Sequence, residues 1–435
     1  MMNLTVYTVF IIYAVILILR KADFVFYLPI FHVIVDISFF YLGPGSLATY
    51  YRGLIVLIFF YFIFRRFRFS FPLKDITFLF LAFTALLVLQ SDELLYSLKG
   101  YTQVFFSMLM LPAGYLLIDS NRKLLRLNRQ FILIIYISVL ITAIGYIFNI
   151  GKNFNYGEDE QKIGLLGSAG LYTGAVCIAL LPILIGSLRQ QWMRIATYAV
   201  SIVLFIFILL NVRRTAIMIP LVGLVAFIFT TEKRFTYLTY VLVTAVIIAA
   251  SSFWYGDMLR DRIEFRAEAG RFESDFYKTE GRYLEIENLS KEVLSFSDPL
   301  ASLFGFGHNI YAEHIRDNQI VRRMYHTDIG RLLYGSGILG MVLYMIFSIK
   351  LFFLADLEKR TRLISIKRLR SVIFALAVIN LALMVNGSLN LITLKSAIFL
   401  YIGALLRIYH ITLKREKQKI ALNGRILPVS QRVEV

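Results

Sequence analysis

The chain has 435 residues, of which 58% are hydrophobic and only 17% are charged. A soluble domain of this size needs a far more polar surface, so the composition excludes an ordinary soluble globular protein and indicates one embedded in a lipid bilayer. The formal net charge is +18, but the basic residues lie largely in short gaps between apolar runs. Membrane proteins fix their orientation in this way, and the charge therefore predicts no nucleic-acid partner.

Apolar runs long enough to cross a bilayer follow one another through most of the chain. They predict an all-α, polytopic membrane helix bundle with about 13 transmembrane helices, within roughly 12–14. The first run lacks the basic flank and the small-residue cleavage site of a signal peptide, so we expect a retained helix there. The predicted spans are 4–19, 24–43, 48–64, 76–91, 101–118, 131–150, 163–187, 195–210, 215–230, 235–254, 329–354, 371–387 and 391–409.

Basic residues cluster in alternate gaps between these runs. If all those gaps face the cytoplasm, the N-terminus lies outside and the C-terminus, with its basic tail, lies inside. The predicted organisation is a transmembrane bundle of about ten spans at 1–254, a large outer loop at 255–328, about three further spans at 329–410 and a cytoplasmic tail at 411–435. The clustered basic residues between spans are Arg20, Lys21, Arg65, Arg66, Arg68, Arg122, Lys123, Arg126, Arg129, Arg189, Arg194, Lys233, Arg234, Lys359, Arg360, Arg362, Lys367, Arg368 and Arg370.

The outer loop is too long to be a simple connection between two helices. Its segments 257–280 and 282–294 are rich in Glu, Arg, Leu and Phe, and this composition favours helices. Near its end, Gly305 and Gly307 predict a tight turn. We therefore expect a large, partly helical loop on the periplasmic or extracellular side.

Three arginines are candidate functional residues. Arg213 and Arg214 occupy a very short outer gap, which holds them at the membrane surface beside the bundle. Charges in that position are costly and often functional, although long basic side chains also anchor helix ends. Arg282 begins the second loop segment, where an ion pair with Glu280 or Glu285 on a solvated helix face is the simpler interpretation.

Three of the five histidines lie in the loop. Together with Glu313 or Asp317, they have the donor atoms of a zinc site. Their spacing matches no standard zinc pattern, and the HExxH motif is absent, so no metal is predicted. A surface or capping role is the simplest interpretation of each. The three loop histidines are His308, His314 and His326.

His326 stands just before an apolar helix and therefore at the outer membrane surface. Thr327 or Asp328 is expected to cap that helix. Small residues in its first turns predict close helix packing or room for a ligand. These small residues are Gly335, Gly337 and Gly340.

The nucleotide-binding and hydrolase motifs GxxxxGK[ST], GxGxxG after a strand, and GxSxG are all absent. The single cysteine, Cys177, excludes an intramolecular disulfide and a cysteine-cluster metal site. An enzyme built on this chain would act on a membrane-borne substrate, with cationic side chains rather than a metal ion stabilising the developing charge.

Three motifs in order give the chain a family resemblance. RRTA places Arg214 at the start of a mid-chain helix. GRYLEIENL, followed by DPLASLFGFG, places Arg282 at the head of a loop helix that runs into a Gly-x-Gly turn. His326 ends the loop, and Gly337 and Gly340 follow it. With these motifs, the region from about residue 195 to 354 resembles the bacterial O-antigen polymerase and O-antigen ligase superfamily, which includes the Wzy-type polymerases.

The chain also departs from the pattern of that superfamily. Arg213 stands where members often have Ser, and Thr327 stands where many have Asn. Gly335 replaces a Glu found two residues before the first of the later glycines, so no role for that Glu carries over.

The resemblance implies a membrane glycosyltransferase of the bacterial inner membrane that needs no cofactor. Such enzymes take a glycan from undecaprenyl diphosphate at the outer leaflet and join it to an acceptor hydroxyl. By this resemblance Arg214 and Arg282, with Arg213, bind the diphosphate, and His326 is the candidate base. His308 and His314 are secondary candidates. The implied partners are the lipid-linked donor, the glycan acceptor, the bilayer and, as a further candidate, a chain-length regulator.

Polymerisation of O-antigen, capsule or exopolysaccharide repeat units is the favoured function. An O-antigen ligase that moves finished polymer onto lipid A–core is the alternative within the superfamily. A lipid-linked oligosaccharide flippase or another transporter is the alternative of a different class. For a transporter, His32 and Asp36 would be the proton-coupling pair, although a structural polar pair that reaches Arg52 or an interface is the simpler interpretation.

Overall fold

The structure is a computed structural model that describes residues 29–30, 32–33, 70–148, 167–211, 213–268, 285, 287–309, 311–316, 319–354 and 364–426. Its helices, in chain order, are α1 (Lys74–Val88), α2 (Leu94–Leu117), α3 (Asn121–Ile147), α4 (Gly167–Ala179), α5 (Leu181–Gly186), α6 (Gln191–Leu210), α7 (Arg214–Thr230), α8 (Arg234–Glu268), α9 (Pro299–Phe304), α10 (Asp328–Leu354), α11 (Ile364–Leu383) and α12 (Ile392–Ile426). Strands β1 (Tyr311–Arg316) and β2 (Gln319–Met324) lie between α9 and α10.

Long apolar helices dominate this architecture. Every predicted span from 76–91 onward coincides with a helix, and the span 163–187 is divided into α4 and α5 beside Pro182. Among the described residues, five helices are long and apolar enough to cross a membrane, namely α3, α6, α10 and the apolar parts of α8 and α12. Several long apolar helices in one chain are the pattern of a multi-pass membrane protein. The predicted spans 4–19 and 48–64, and nearly all of 24–43, lie outside the described residues.

The core forms where α2 and α12 run side by side. A methyl group on Gly114 of α2 would overlap the Leu400 carbonyl of α12, and one on Gly403 would overlap the Leu111 carbonyl of α2. Glycine allows this close backbone approach, which is a common way for helices to associate in a membrane. The Tyr401 hydroxyl of α12 donates a 2.7 Å hydrogen bond to Asn128 of α3, so a third helix joins the same core.

Two features of the outer loop differ from expectation. Helix α8 continues without a break beyond the predicted span 235–254, as far as Glu268, so the helix does not end where the loop was predicted to begin. The described residues are helical as predicted, apart from a short antiparallel hairpin of β1 and β2 between 311 and 324. Ile315, Ile320 and Val321 favour strands because their β-branched side chains fit a pleated surface.

Helix α10 is broken at Gly337. This residue has φ +62° and ψ −170°, which no helix accommodates. The turn after α9 fills the break: the Phe306 amide donates a 2.8 Å hydrogen bond to the Tyr334 carbonyl, which has lost its partner in the helix. Gly305 and Gly307 both adopt positive φ, as the predicted tight turn requires.

Substitution of Gly337 by alanine is expected to destabilise the protein. A methyl group there would overlap the backbone of Leu303, and the left-handed backbone alone costs about 1–2 kcal/mol for a residue with a side chain. Gly256 is the matched control, because it lies within α8 and a methyl group on it would meet nothing within 4 Å. Thermal unfolding of the purified protein in detergent should give a lower midpoint for Gly337→Ala and an unchanged or higher one for Gly256→Ala. Equal midpoints for the two variants would show that the break is not rigid.

Candidate functional site

The candidate site is built around a histidine–carboxylate pair at the end of the large loop 255–328. The Nδ1 atom of His326 lies 2.5 Å from Oε1 of Glu285, and the backbone amide of His326 donates a 2.8 Å hydrogen bond to Oε2 of the same carboxylate. The Glu285 side chain is 6% exposed, whereas that of His326 is 37% exposed. A buried carboxylate therefore fixes the orientation of a ring that reaches the surface.

This arrangement suits proton transfer. With Nδ1 protonated and donating to Glu285, a neutral imidazole carries its lone pair on Nε2, and that atom can accept a proton. The carboxylate also stabilises the imidazolium that would form. This geometry is the one that a general base held by a positioning carboxylate requires.

The backbone beside His326 is held on several sides. Thr327 caps α10 as expected, because its hydroxyl accepts a 2.9 Å hydrogen bond from the Gly330 amide. The Arg331 Nε donates to the Tyr325 carbonyl at 2.7 Å. Gly387, after α11, lies so close that a methyl group there would overlap the His326 carbonyl oxygen. Helix α10 and the connection after α11 therefore fix the position of the histidine together.

Asp328 was expected only as a helix cap, but it is the centre of a buried ion cluster. Its carboxylate accepts a 2.6 Å hydrogen bond from the Leu389 amide and lies 3.5 Å from the Lys395 Nζ. Lys395 also donates to the Asn380 side chain at 2.9 Å and to the Tyr344 hydroxyl at 3.4 Å. Both Asp328 and Lys395 are fully buried.

The broken helix explains how Lys395 reaches both Asp328 and Tyr344. In a straight helix, 16 residues of separation correspond to roughly 24 Å along the axis. Here both polar groups lie within hydrogen-bonding or ion-pairing reach of one ammonium group. The break at Gly337 therefore turns the first segment of α10 back toward the bundle. Because His326 directly precedes this segment, the break also sets where the histidine lies.

The arginines at the start of α7 lie at the same end of the bundle as His326. Helices α7 and α11 are antiparallel, because Lys367, near the start of α11, pairs with Glu232, just beyond the end of α7. The start of α7 therefore lies near the C-terminal end of α11. That end leads into Gly387, which packs against His326. Arg213 is half-buried and Arg214 is exposed.

Two other predicted site residues cannot be placed. Arg282 lies outside the described residues. His314 lies on β1, and the structure describes its backbone but not its side chain. For the transporter alternative, His32 is buried, and Asp36 lies outside the described residues. Within the part of the chain that the structure describes, no three His, Cys, Asp or Glu side chains are grouped so as to hold a metal ion.

His308 is separate from the His326–Glu285 pair. It lies in the turn that fills the α10 break, is only 2% exposed and has positive φ. Its ring meets that of Tyr101 edge-on at 6.0 Å, and neither ring nitrogen has a hydrogen-bond partner among the residues that the structure describes. Burial lowers the pKa of His308 to about 4. It is therefore neutral at physiological pH, and its environment is that of a packed residue.

Two nearby groups in the loop are also affected by burial. Burial raises the pKa of Glu292. It also raises the pKa of Tyr325, with smaller contributions from Glu292, Tyr334 and Glu285. The phenol next to His326 in the chain therefore stays protonated and does not compete as a base.

Sequence reasoning missed the residues that hold His326. The sequence suggests Glu285 only as a partner for Arg282, because its contact with His326 spans 41 positions. Lys395 offered a signal that was overlooked, because it is a charged residue inside the predicted span 391–409. Asp328 and Arg331 gave no comparable signal.

No protein-family model matches the chain, and no curated protein is significantly similar to it. The superfamily resemblance therefore depends on the three motifs alone. The function has to be argued from the geometry of the site and from its position at one end of the bundle.

Protonation of His308 is expected to destabilise the fold in acid. The folded chain holds this residue neutral, whereas the unfolded chain protonates it below about pH 6.5. Above that pH, His308 is neutral in both states and the stability is unaffected. As the pH falls to about 4, the free energy of unfolding decreases, and the loss reaches about 3 kcal/mol there. His308→Asn tolerates the positive φ and does not titrate. Its unfolding midpoint in detergent should fall less between about pH 7 and pH 4.5 than that of the wild type. The same fall in both proteins would contradict the assignment.

Proposed function

We propose that the protein is a membrane glycosyltransferase that polymerises undecaprenyl-diphosphate-linked oligosaccharide repeat units at the outer leaflet of the bacterial inner membrane. The product would be O-antigen, capsule or exopolysaccharide. The observation that carries this proposal is the pair of His326 and Glu285, a half-exposed imidazole oriented by a buried carboxylate. The superfamily resemblance supplies the substrate class.

In this mechanism, His326 accepts the proton of the acceptor hydroxyl through Nε2. The hydroxyl oxygen attacks the anomeric carbon of the donor sugar, a new glycosidic bond forms, and the bond from that carbon to the phosphate oxygen breaks. Direct displacement inverts the configuration at the sugar. Glu285 keeps Nδ1 protonated and stabilises the imidazolium.

The leaving diphosphate takes up the negative charge. An arginine fork binds phosphate oxygens bidentately and stays protonated, so it is well suited to this leaving group. The antiparallel packing of α7 and α11 supports this role for Arg214 and Arg213, because it brings the start of α7 to the end of the bundle where His326 lies. Arg282 is the third proposed member of the clamp. A metal ion is not required, because these cations already supply the electrostatic stabilisation.

One observation favours a second function. Broken helices with polar groups in the bundle are typical of transporters, and α10 is broken at Gly337, between Asp328 and Tyr344, which both contact the buried Lys395. This geometry supports a lipid-linked oligosaccharide flippase as the second candidate. The histidine–carboxylate pair favours glycosyl transfer, because proton abstraction from a hydroxyl needs such a base and transport of a lipid-linked sugar does not.

Substitutions at the pair should separate catalysis from folding. His326→Ala is expected to abolish polymer formation, because the base is lost. Glu285→Gln is expected to reduce it by about tenfold or more, because the imidazolium loses its counter-charge. The matched control is Glu287→Gln on the same segment, which breaks only an exposed pair with Lys291 and should change activity by less than about twofold. The polymer ladder and the protein level in complemented cells measure both effects. Full activity of His326→Ala at normal protein level would remove it as the base.

Deletion of the gene should distinguish the three functions. Without a polymerase, repeat units still cross the membrane, so lipid A–core should carry a single unit and the long ladder should be lost. Without a ligase, polymer should accumulate on undecaprenyl diphosphate and the core should be bare. Without a flippase, units should stay on the cytoplasmic leaflet. We expect the single-unit phenotype on lipopolysaccharide gels, or lipid-linked single units in an organism that makes capsule. Bare core with long lipid-linked chains would contradict the polymerase proposal.

A further inference from the structure

Asp328 makes contacts that go beyond balancing a buried charge. Besides its ion pair with Lys395, its Oδ1 atom accepts a 2.6 Å hydrogen bond from the Leu389 amide. Its Oδ2 atom accepts a 3.2 Å hydrogen bond from the Ser388 hydroxyl. The guanidinium of Arg331 lies 3.9 Å from Oδ1. The carboxylate therefore binds two consecutive residues of the connection between α11 and α12.

That connection touches His326 directly. Gly387 immediately precedes the two residues that Asp328 holds, and it packs against the His326 carbonyl oxygen. On the other side, Arg331 binds the carbonyl of Tyr325. The contacts form a closed path: Asp328 fixes 388–389, these residues fix Gly387, and Gly387 limits where the His326 peptide can lie.

We propose that Asp328 is a positioning residue for the proposed glycosyl transfer, and the proposal rests on that function. It acts through the 387–389 connection and holds the His326 backbone at the place where the imidazole meets Glu285. A displacement of about 1 Å at a catalytic group can cost up to about a hundredfold in rate. Asp328 would therefore affect turnover without touching the substrate.

The simpler alternative is that Asp328 only neutralises Lys395. A buried lysine without a counter-ion is strongly unfavourable, so loss of the carboxylate alone would disturb folding under either interpretation. The two interpretations differ once both charges are removed. Compensation of Lys395 then has no further role, and Arg331 loses the same carboxylate in every variant that lacks it. The hydrogen bonds to Ser388 and Leu389 still depend on the side chain at position 328.

Two matched double variants make use of this difference. D328N/K395M removes both charges and keeps a carbonyl oxygen that accepts from the Leu389 amide. D328L/K395M removes both charges and has no acceptor. Both variants are compared in a polymerisation assay with purified protein and lipid-linked repeat units. The kcat of D328N/K395M should stay within about threefold of wild type, whereas that of D328L/K395M should fall about tenfold or more. The KM of D328L/K395M should change less than about twofold.

A second readout does not depend on activity. Diethyl pyrocarbonate modifies accessible imidazoles, and peptide mass spectrometry locates the modified residues. Modification of His326 should increase about threefold or more in D328L/K395M compared with D328N/K395M, because a loosened backbone weakens the contact with Glu285. Modification of His308, buried in the turn after α9, should stay low in both and shows that the protein is folded.

Each outcome has one meaning. Equal kcat and equal His326 modification in the two double variants would overturn the positioning role. If the wild type forms no polymer, the proposed function fails, and the modification pattern alone decides whether Asp328 holds His326. If D328L/K395M cannot be purified in folded form, Gly387→Ala tests the same path with the ion cluster intact. It should lower kcat and raise His326 modification, and wild-type behaviour of this variant would overturn the proposal.

Discussion

The contacts of the buried Asp328 side chain, with Lys395 and with residues 388–389, are the interactions on which the arrangement of this end of the bundle depends. Asp328 and Lys395 are both fully buried, and removal of one partner from such a pair typically costs about 3–5 kcal/mol because the other charge is left unpaired. Because separation of the two charges is so unfavourable, the start of α10 stays packed against the start of α12. Asn380 and Tyr344 add hydrogen bonds to Lys395, so α11 and the second segment of α10 are held at the same point.

The break at Gly337 allows Lys395 to contact Asp328 and Tyr344 at the same time. An unbroken α10 would carry Asp328 far from Tyr344 along its axis, and Lys395 could not meet both. The break exposes backbone groups that need partners, and the turn after α9 supplies one through the Phe306 amide. The outer loop is therefore part of the bundle at this point. A change in the loop turn would be transmitted to α10, and from there to His326.

The helices were largely predictable from sequence, whereas the contacts that build the site were not. A run such as 131–150 can be recognised as a helix from its own residues, because apolar length and composition are local properties. The closely spaced glycines predicted tight packing, which Gly337 confirms, but the left-handed backbone at that position results from packing against α9. The hairpin could have been recognised from the β-branched Ile315, Ile320 and Val321 and from Asp317 and Asn318, whose residue types favour turns. The contact of Glu285 with His326 joins two distant segments, and one sequence contains no local signal for it.

Helix α11 sets the relation between the two halves of the proposed site. Its C-terminal end leads to Gly387 and so to the histidine, and its packing partner α7 begins with the arginines. The two helices touch where Gly223 meets Ile379, since a methyl group on the glycine would lie 2.7 Å from the isoleucine side chain. From that contact to Arg214 is nine residues, or roughly 13 Å of helix. The proposed base and the proposed phosphate-binding cations are thus carried by different elements of the fold. Helix α11 fixes the separation between His326 and the arginines of α7. This separation would select a donor whose sugar reaches the histidine while its diphosphate reaches the arginines. Loops alone could not hold the two groups apart so rigidly.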